Sequence, residues 1–396
     1  MKLLWHSNAP WAPTGYGQQT ALFCPILAER YDLAISAFYG LQGAPIKWDG
    51  IPVLPGIGDD FELTLPEHAQ RFFGGDSRGG LIVTLMDVWV LNPAKAADFN
   101  VACWTPIDHE PAPQKIVDFF LQANAVPIAM SRFGERLLGR LDPEYVPHGV
   151  DCEIYKPGDR EAARAGAFPP GAFVVGMVAA NKGRPSRKAF AQSLEAFARL
   201  LAEHENVYLY LHSELNPMLG AGENIAGLMR MLDIPVDHVK AADAYAINYR
   251  PYGPEQMAQI YQAFDVLLNP SLGEGFGIPI VEAQACGIPV IVTDATAMKE
   301  VCGAGWRVSH HPYWTGLNSW QFVPDIDDIH AALEDCYQAT AIQRAKLSQQ
   351  ARAHALQYDV RRVTTEFMLP AMRRIEQRFE ARRPVTIPSR LTKVAA

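Results

Sequence analysis

Short apolar runs alternate with stretches of helical period along most of the chain. Residues 3–6, 33–38, 81–85, 101–104 and 125–130 are apolar enough to predict buried strands. Between them, residues 17–30, 112–123 and 132–141 place apolar side chains at the spacing of one helix face. Periodicity lapses over residues 145–158, which are rich in proline and glycine. It resumes with strands at 173–179, 207–212, 266–268 and 290–293, and with helices at 189–205, 254–263 and 280–286. Two helical stretches, 329–356 and 363–382, finish the pattern with a basic outer face. Alternation of this kind predicts α/β architecture: parallel sheets covered on both faces, in two doubly wound domains across a cleft. The boundary falls near residue 153, giving domains 1–153 and 154–360, with ligands expected at the carboxyl ends of strands.

A length of 396 residues fits two such domains. The net charge of −8 gives no general drive toward nucleic acid or an anionic membrane. No apolar run approaches the roughly 20 residues that span a bilayer. The first eight residues are too short an apolar stretch for a secretory signal and read as a strand. Cys24, Cys103, Cys152, Cys286, Cys302 and Cys336 form no C-x-x-C pair, so reduced thiols in a cytoplasm are expected.

The most specific segment is Asn269-Pro-Ser-Leu-Gly-Glu-Gly-Phe-Gly-Ile-Pro-Ile-Val-Glu282. A strand precedes it, Pro279 suits the first turn of a helix, and Cys286-Gly287 closes that helix. Strand, glycine turn and helix together make a phosphate site, because free backbone N–H groups meet the positive end of the helix dipole. Two acids, Glu274 and Glu282, flank that site. An acid beside an anion site fits neutral hydroxyls, as on a sugar or ribose, so a nucleotide sugar is the expected ligand.

Three other loops follow predicted strands. Gly15 and Gly17 allow close backbone approach after the first strand, yet Thr20 breaks any G-x-G-x-x-G dinucleotide fingerprint. His109, between Asp108 and Glu110, is either a structural histidine or a proton carrier and hydroxyl ligand. Lys182, Arg184, Arg187 and Lys188 crowd a β-to-α loop, as a solvated charge run or as a clamp for a diphosphate. Lys188 and Arg184 are the first choices there. His310 and His311 read as a loop without metal spacing, and Asp325 as a helix start rather than a cation ligand. No metal site is expected. Trp11 and Trp48 are the tryptophans placed to stack on an acceptor, the others reading as core.

These residues resemble glycosyltransferase family 4, retaining nucleotide-sugar transferases of the GT-B fold, in the Glu274-x7-Glu282 spacing and its continuation through Val292. Pro147-His-Gly-Val-Asp151 is also similar, with His148 where members usually carry asparagine. The resemblance implies that Glu274 meets the donor sugar and Glu282 the ribose. It implies donor contacts from Gly15, Tyr16, Gly17, Gly275, Phe276, Gly277 and Ile278. Lys188 and His109 match a phosphate-neutralising lysine and a histidine over the sugar. The arginine usual before that lysine is not evident, and Arg184 is the substitute. A closing helix, 361–385, is implied to return to the first domain. The implied reaction is a metal-independent, retaining transfer from a UDP- or GDP-sugar to a hydroxyl, with no cofactor required. A GT-B nucleotide-sugar epimerase and a non-catalytic binding protein are the alternatives. The segment Ser7–Gly17 is similar to that of virus-encoded members, which adds a hydroxymethylated DNA base or a virion protein to glycans and lipids as acceptors, in a host cytoplasm. The basic tail, 361–396, is either a solvated helix face or a contact for headgroups or nucleic acid.

Overall fold

The structure is a computed structural model; it describes residues 1–57, 61–217, 222–249 and 252–382. The first half builds one sheet from β1 (Lys2–Asn8), β2 (Asp32–Tyr39), β3 (Ile46–Trp48), β4 (Ile51–Pro55), β5 (Gly80–Leu85), β6 (Val101–Thr105), β7 (Val126–Ala129) and β8 (Glu144–Tyr145). Their order is β3-β4-β2-β1-β5-β6-β7-β8. Every pairing is parallel except β3 with β4, a hairpin turned at Asp49 and Gly50, both with positive φ. The second half builds a parallel sheet from β9 (Phe173–Val178), β10 (Val207–His212), β11 (Val239–Ala241), β12 (Val266–Leu268), β13 (Val290–Thr293) and β14 (Gly305–Val308). Its order is β11-β10-β9-β12-β13-β14. Strands buried on both faces explain why their sequence is a continuous apolar run.

Differences from the sequence expectation have local causes. Helix 329–356 is two helices, Ile326–Gln338 and Ala341–Ala355. Thr340 breaks them apart and caps the second through a reciprocal pair with Gln343. His310 and His311 belong not to a loop but to an antiparallel hairpin, β15 (His310–Trp314) and β16 (Trp320–Pro324). Asp325 does cap a helix, accepting from the N–H groups of Asp327 and Asp328.

The core crosses from one half to the other without a break. Trp104 meets Trp5 and Phe23 edge-on, at 6.2 and 5.3 Å between ring centres, and all three are fully buried. Burial of side chains this large is worth about 1.5–3 kcal/mol each. Trp11 by contrast is exposed, its indole donating to the Gly40 carbonyl. Among the described residues the chain crosses between the halves twice. The two crossings bind each other where Val150 N–H donates to the Tyr358 carbonyl at 2.9 Å and Val360 N–H to the Val150 carbonyl at 3.0 Å.

The last helix, Leu369–Ala381, lies on the first sheet's side of the molecule. Its Glu376 accepts from the Tyr31 hydroxyl at 2.7 Å, and Arg374 and Arg378 pair with buried Glu144. Arg382 donates to the Asn124 carbonyl. These cations of the basic tail are therefore bound by the chain itself. Arg383, Arg390 and Lys393 lie outside the described residues. Among the described residues no helix is long and apolar enough to cross a membrane, and all six cysteines are buried and unpaired.

Candidate functional site

β12 occupies the middle of the second sheet, and the loop that leaves its carboxyl end carries Glu274. Gly277 closes this loop with φ near 97°, a conformation only glycine adopts freely, and helix Ile278–Ala285 follows with Pro279 in its first turn. The Glu274 carboxylate is buried. One oxygen accepts from Lys188 Nζ at 2.5 Å and Ser271 Oγ at 2.7 Å; the other accepts from Arg187 Nη1 at 2.8 Å. Arg187 also donates to the Gly273 carbonyl at 2.7 Å. Burial alone would lift the Glu274 pKa, but Arg187 and Lys188 outweigh it and hold the acid well below the usual carboxylate range.

The arginine that reaches Glu274 is Arg187 and not Arg184. Arg184 is exposed and turns its Nε to the Gly222 carbonyl, away from Glu274. In a loop without regular period the sequence does not say which of several cations points inward.

The first domain presents three neighbouring loops to this site. β5 pairs with β1 on one side and β6 on the other, so the segments after these strands emerge side by side. After β1 come Gly15, Tyr16 and Gly17, opening helix Gly15–Ala28 under a cap from Thr14. Asp87 follows β5, and Asp108 and His109 follow β6. His109 is buried, and its Nδ1 lies 2.6 Å from Asp108 Oδ1. Burial pushes Asp108 up, but His109 and Arg187 bring it below its ordinary value. Burial and the nearby Asp108 charge push Asp87 up to about 6.

The halves approach closely here. A Cβ on Gly273 would stand 2.1 Å from the Asp108 carbonyl oxygen, and one on Gly275 2.4 Å from Pro106 Cβ. Gly15 likewise lies against Ile278, so the first turns of two helices meet. Glu110 and Trp320 exchange backbone hydrogen bonds of 3.0 and 2.8 Å, fastening the β15–β16 hairpin beside His109.

Glu282 has other company. Its oxygens accept from Gln18 Nε2 at 2.5 Å and the Tyr261 hydroxyl at 2.7 Å, and burial raises its pKa. The Gln18 contact spans the two halves, so Glu282 does face the junction, but its bonds are separate from those of Lys188. The Phe276 ring is core, 5.2 Å from His148 and 5.4 Å from Tyr358, so only its backbone is available to a ligand. The structure thus brings Lys188, Glu274, Asp108 and His109 together across the cleft, adds Arg187, Ser271 and Asp87, and leaves Arg184 out. Asp87 was findable in principle, as an acid directly after a strand run. Among the described residues, Glu203, His204 and Glu334 alone cluster like metal ligands, and they belong to other helices.

Residues 172–338 match the family model "Glycosyl transferases group 1". A D-inositol 3-phosphate glycosyltransferase of Rhodococcus erythropolis is 33% identical over 154 residues, 38% of this chain and 33% of the relative. The enzyme of the same name from Gordonia bronchialis is 30% identical over 245 residues, 61% of this chain and 49% of the relative. The matched part thus spans between a third and a half of these relatives' length. Among solved structures, sucrose-phosphate synthase from Thermosynechococcus elongatus superposes with a TM-score of 0.71 at 16% identity, covering 96% of this chain and all of that one. Anabaena HepE in complex with UDP-glucose gives a TM-score of 0.66 at 16% identity, again covering 96% of this chain and all of that one. At such identities these likenesses concern the fold. The chain carries a glycosyl transferases group 1 domain over residues 172–338, set in the GT-B fold.

Proposed function

We propose that this protein transfers a glycosyl group from a nucleoside diphosphate sugar to a hydroxyl acceptor, with retention of anomeric configuration and without a metal. One observation carries the reading: a buried Glu274, held by Arg187 and Lys188 beside a helix N-terminus, faces the Asp108–His109 loop across the cleft. Charge grows on the diphosphate as the anomeric C–O bond breaks, and preorganised cations stabilise it at that moment. Arg187, Lys188 and the first turn of helix Ile278–Ala285 are those groups. Glu274 orients both cations and meets the sugar hydroxyls, His109 bonds the sugar, and Glu282 meets the ribose by exchanging its Gln18 contact.

In this reading the acceptor attacks on the face the diphosphate leaves, and a phosphate oxygen takes its proton. The close approach of Gly273 and Gly275 to the first domain excludes water and limits donor hydrolysis. The complexes named for HepE make UDP-glucose the first donor to try. The named relatives make a small polyol or its phosphate the first acceptor class.

Calorimetric titration with UDP- and GDP-sugars tests the reading. Binding is expected for one nucleotide and lost in a Lys188→Ala, Arg187→Ala double variant. Equal affinity in that variant rejects the diphosphate site. A new sugar nucleotide formed from donor alone would indicate an epimerase instead.

A further inference from the structure

We propose that Asp87 selects the acceptor: it takes a hydrogen bond from a hydroxyl of an uncharged polyol, next to the hydroxyl that reacts, and turns phosphorylated acceptors away. The proposal rests on the glycosyl-transfer reading of the cleft, and it names the acceptor's charge class.

Topology places Asp87 at the right spot. The first sheet winds outward from β1 to β2 and β4, then returns to β5 on the other side of β1. Where winding reverses, the loops diverge and leave a crevice at the carboxyl ends, the usual ligand position in such sheets. Asp87 is the second residue beyond β5, between the Tyr16 and Asp108 loops, and Asp108 touches Gly273 of the donor side. The carboxylate takes a hydrogen bond from its own backbone N–H and lies near Arg187 and Lys115. Asp87 begins the turn Val88–Val90, yet its side chain makes no cap hydrogen bond.

The surrounding charges favour an uncharged ligand. Asp108 and Tyr16 face Asp87 from the first domain, Arg187 from the second, and Lys115 from helix Gln114–Ala123. Arg187 is already bonded to Glu274 and the Gly273 carbonyl, and a donor diphosphate would draw on it further. The Lys115 ammonium sits over the Trp89 ring at 4.5 Å. With a donor bound, the acceptor wall therefore presents Asp87 and Asp108 beside an anionic diphosphate. A phosphate on the acceptor meets like charge there, which turns partners away. A neutral hydroxyl meets a group that only accepts.

The test uses the full chain and whichever of UDP-glucose and GDP-mannose binds. Acceptors are matched pairs: glucose with glucose 6-phosphate, fructose with fructose 6-phosphate, and myo-inositol with its 3-phosphate. The neutral member of a pair is expected to be glycosylated with a kcat/KM about tenfold or more above its phosphate. Asp87→Asn is expected to raise the KM for the neutral acceptor about tenfold and to narrow that preference, with donor affinity unchanged by calorimetry. Asp87→Glu should keep the preference. Preference for the phosphate, equal loss toward both members in Asp87→Asn, or transfer to no member overturns the inference. Failure of both nucleotide sugars to bind overturns the parent reading as well, whereas donor binding with a reversed preference removes only this one.

Discussion

Glu274 and Glu282 leave the same loop-and-helix segment and are both buried, yet their neighbours drive them in opposite directions. Glu274 meets two cations and a hydroxyl, and its charge is held firmly on. Glu282 meets an amide and a phenol, both neutral donors, and burial disfavours its charge. Opposed environments of this kind separate the roles of paired acids. Glu274 gathers two cations at the junction of the halves, whereas Glu282 fastens Gln18 of the first half to Tyr261 of the second. Spacing in the sequence announces two acids; only their neighbours distinguish them.

Removing the Glu274 charge breaks the comparison most severely. Glu274→Gln should lower kcat by about 10²–10³, and destabilise the fold at pH 7 by about 2 kcal/mol, a buried-pair figure discounted because Arg187 reaches solvent. The folded acid titrates below its ordinary 4.5, so its contribution is present above that pH and is lost as pH falls through and below it. Urea midpoints of wild type and variant should therefore converge under acid conditions; a gap independent of pH would refute the pairing.

Gly273→Ala probes the same acid indirectly. Its methyl would collide with the Asp108 backbone oxygen, so the loops must part, with an expected loss of about 10² in kcat/KM and a larger radius of gyration in solution scattering. Wild-type rates with unchanged scattering would show that the contact is dispensable.

Arg187→Ala against Arg184→Ala separates the two arginines. The first should cost about tenfold or more in kcat, and the second about twofold at most. The reverse order would return Arg184 to the site.

Glu282→Gln carries the smallest effect. Its raised pKa means that ionisation weakens the fold as pH rises past the ordinary 4.5, so the neutral isostere should gain on the order of 1 kcal/mol at pH 7. The gain should disappear in acid. Thermal melts across pH check this, and a loss of stability at pH 7 would mean that Gln18 and Tyr261 prefer the anion.

Much of this was legible in the chain because buried parallel strands write themselves as unbroken apolar runs. Strands 207–212, 266–268 and 290–293 coincide with β10, β12 and β13. The glycine loop was legible because only glycine tolerates the turn at position 277. The inward cation was not, since neither strand nor helix period fixes which side chain of a loop turns in. The β3–β4 hairpin went unread although Asp49-Gly50 is a strong turn pair, because its strands are short and partly exposed. The break before helix Ala341–Ala355 was equally quiet: apolar spacing runs on through it, and Thr340 with Gln343 is the only mark.

The returning helix Leu369–Ala381 has a consequence for synthesis. Met372, Ile375 and Phe379 complete a core that begins with Leu3 and Trp5. Synthesis must therefore reach Phe379 before the strands that carry Leu3 and Trp5 receive their final cover. Until then the nascent amino-terminal half carries an uncovered oily face, which makes it a natural client for a chaperone.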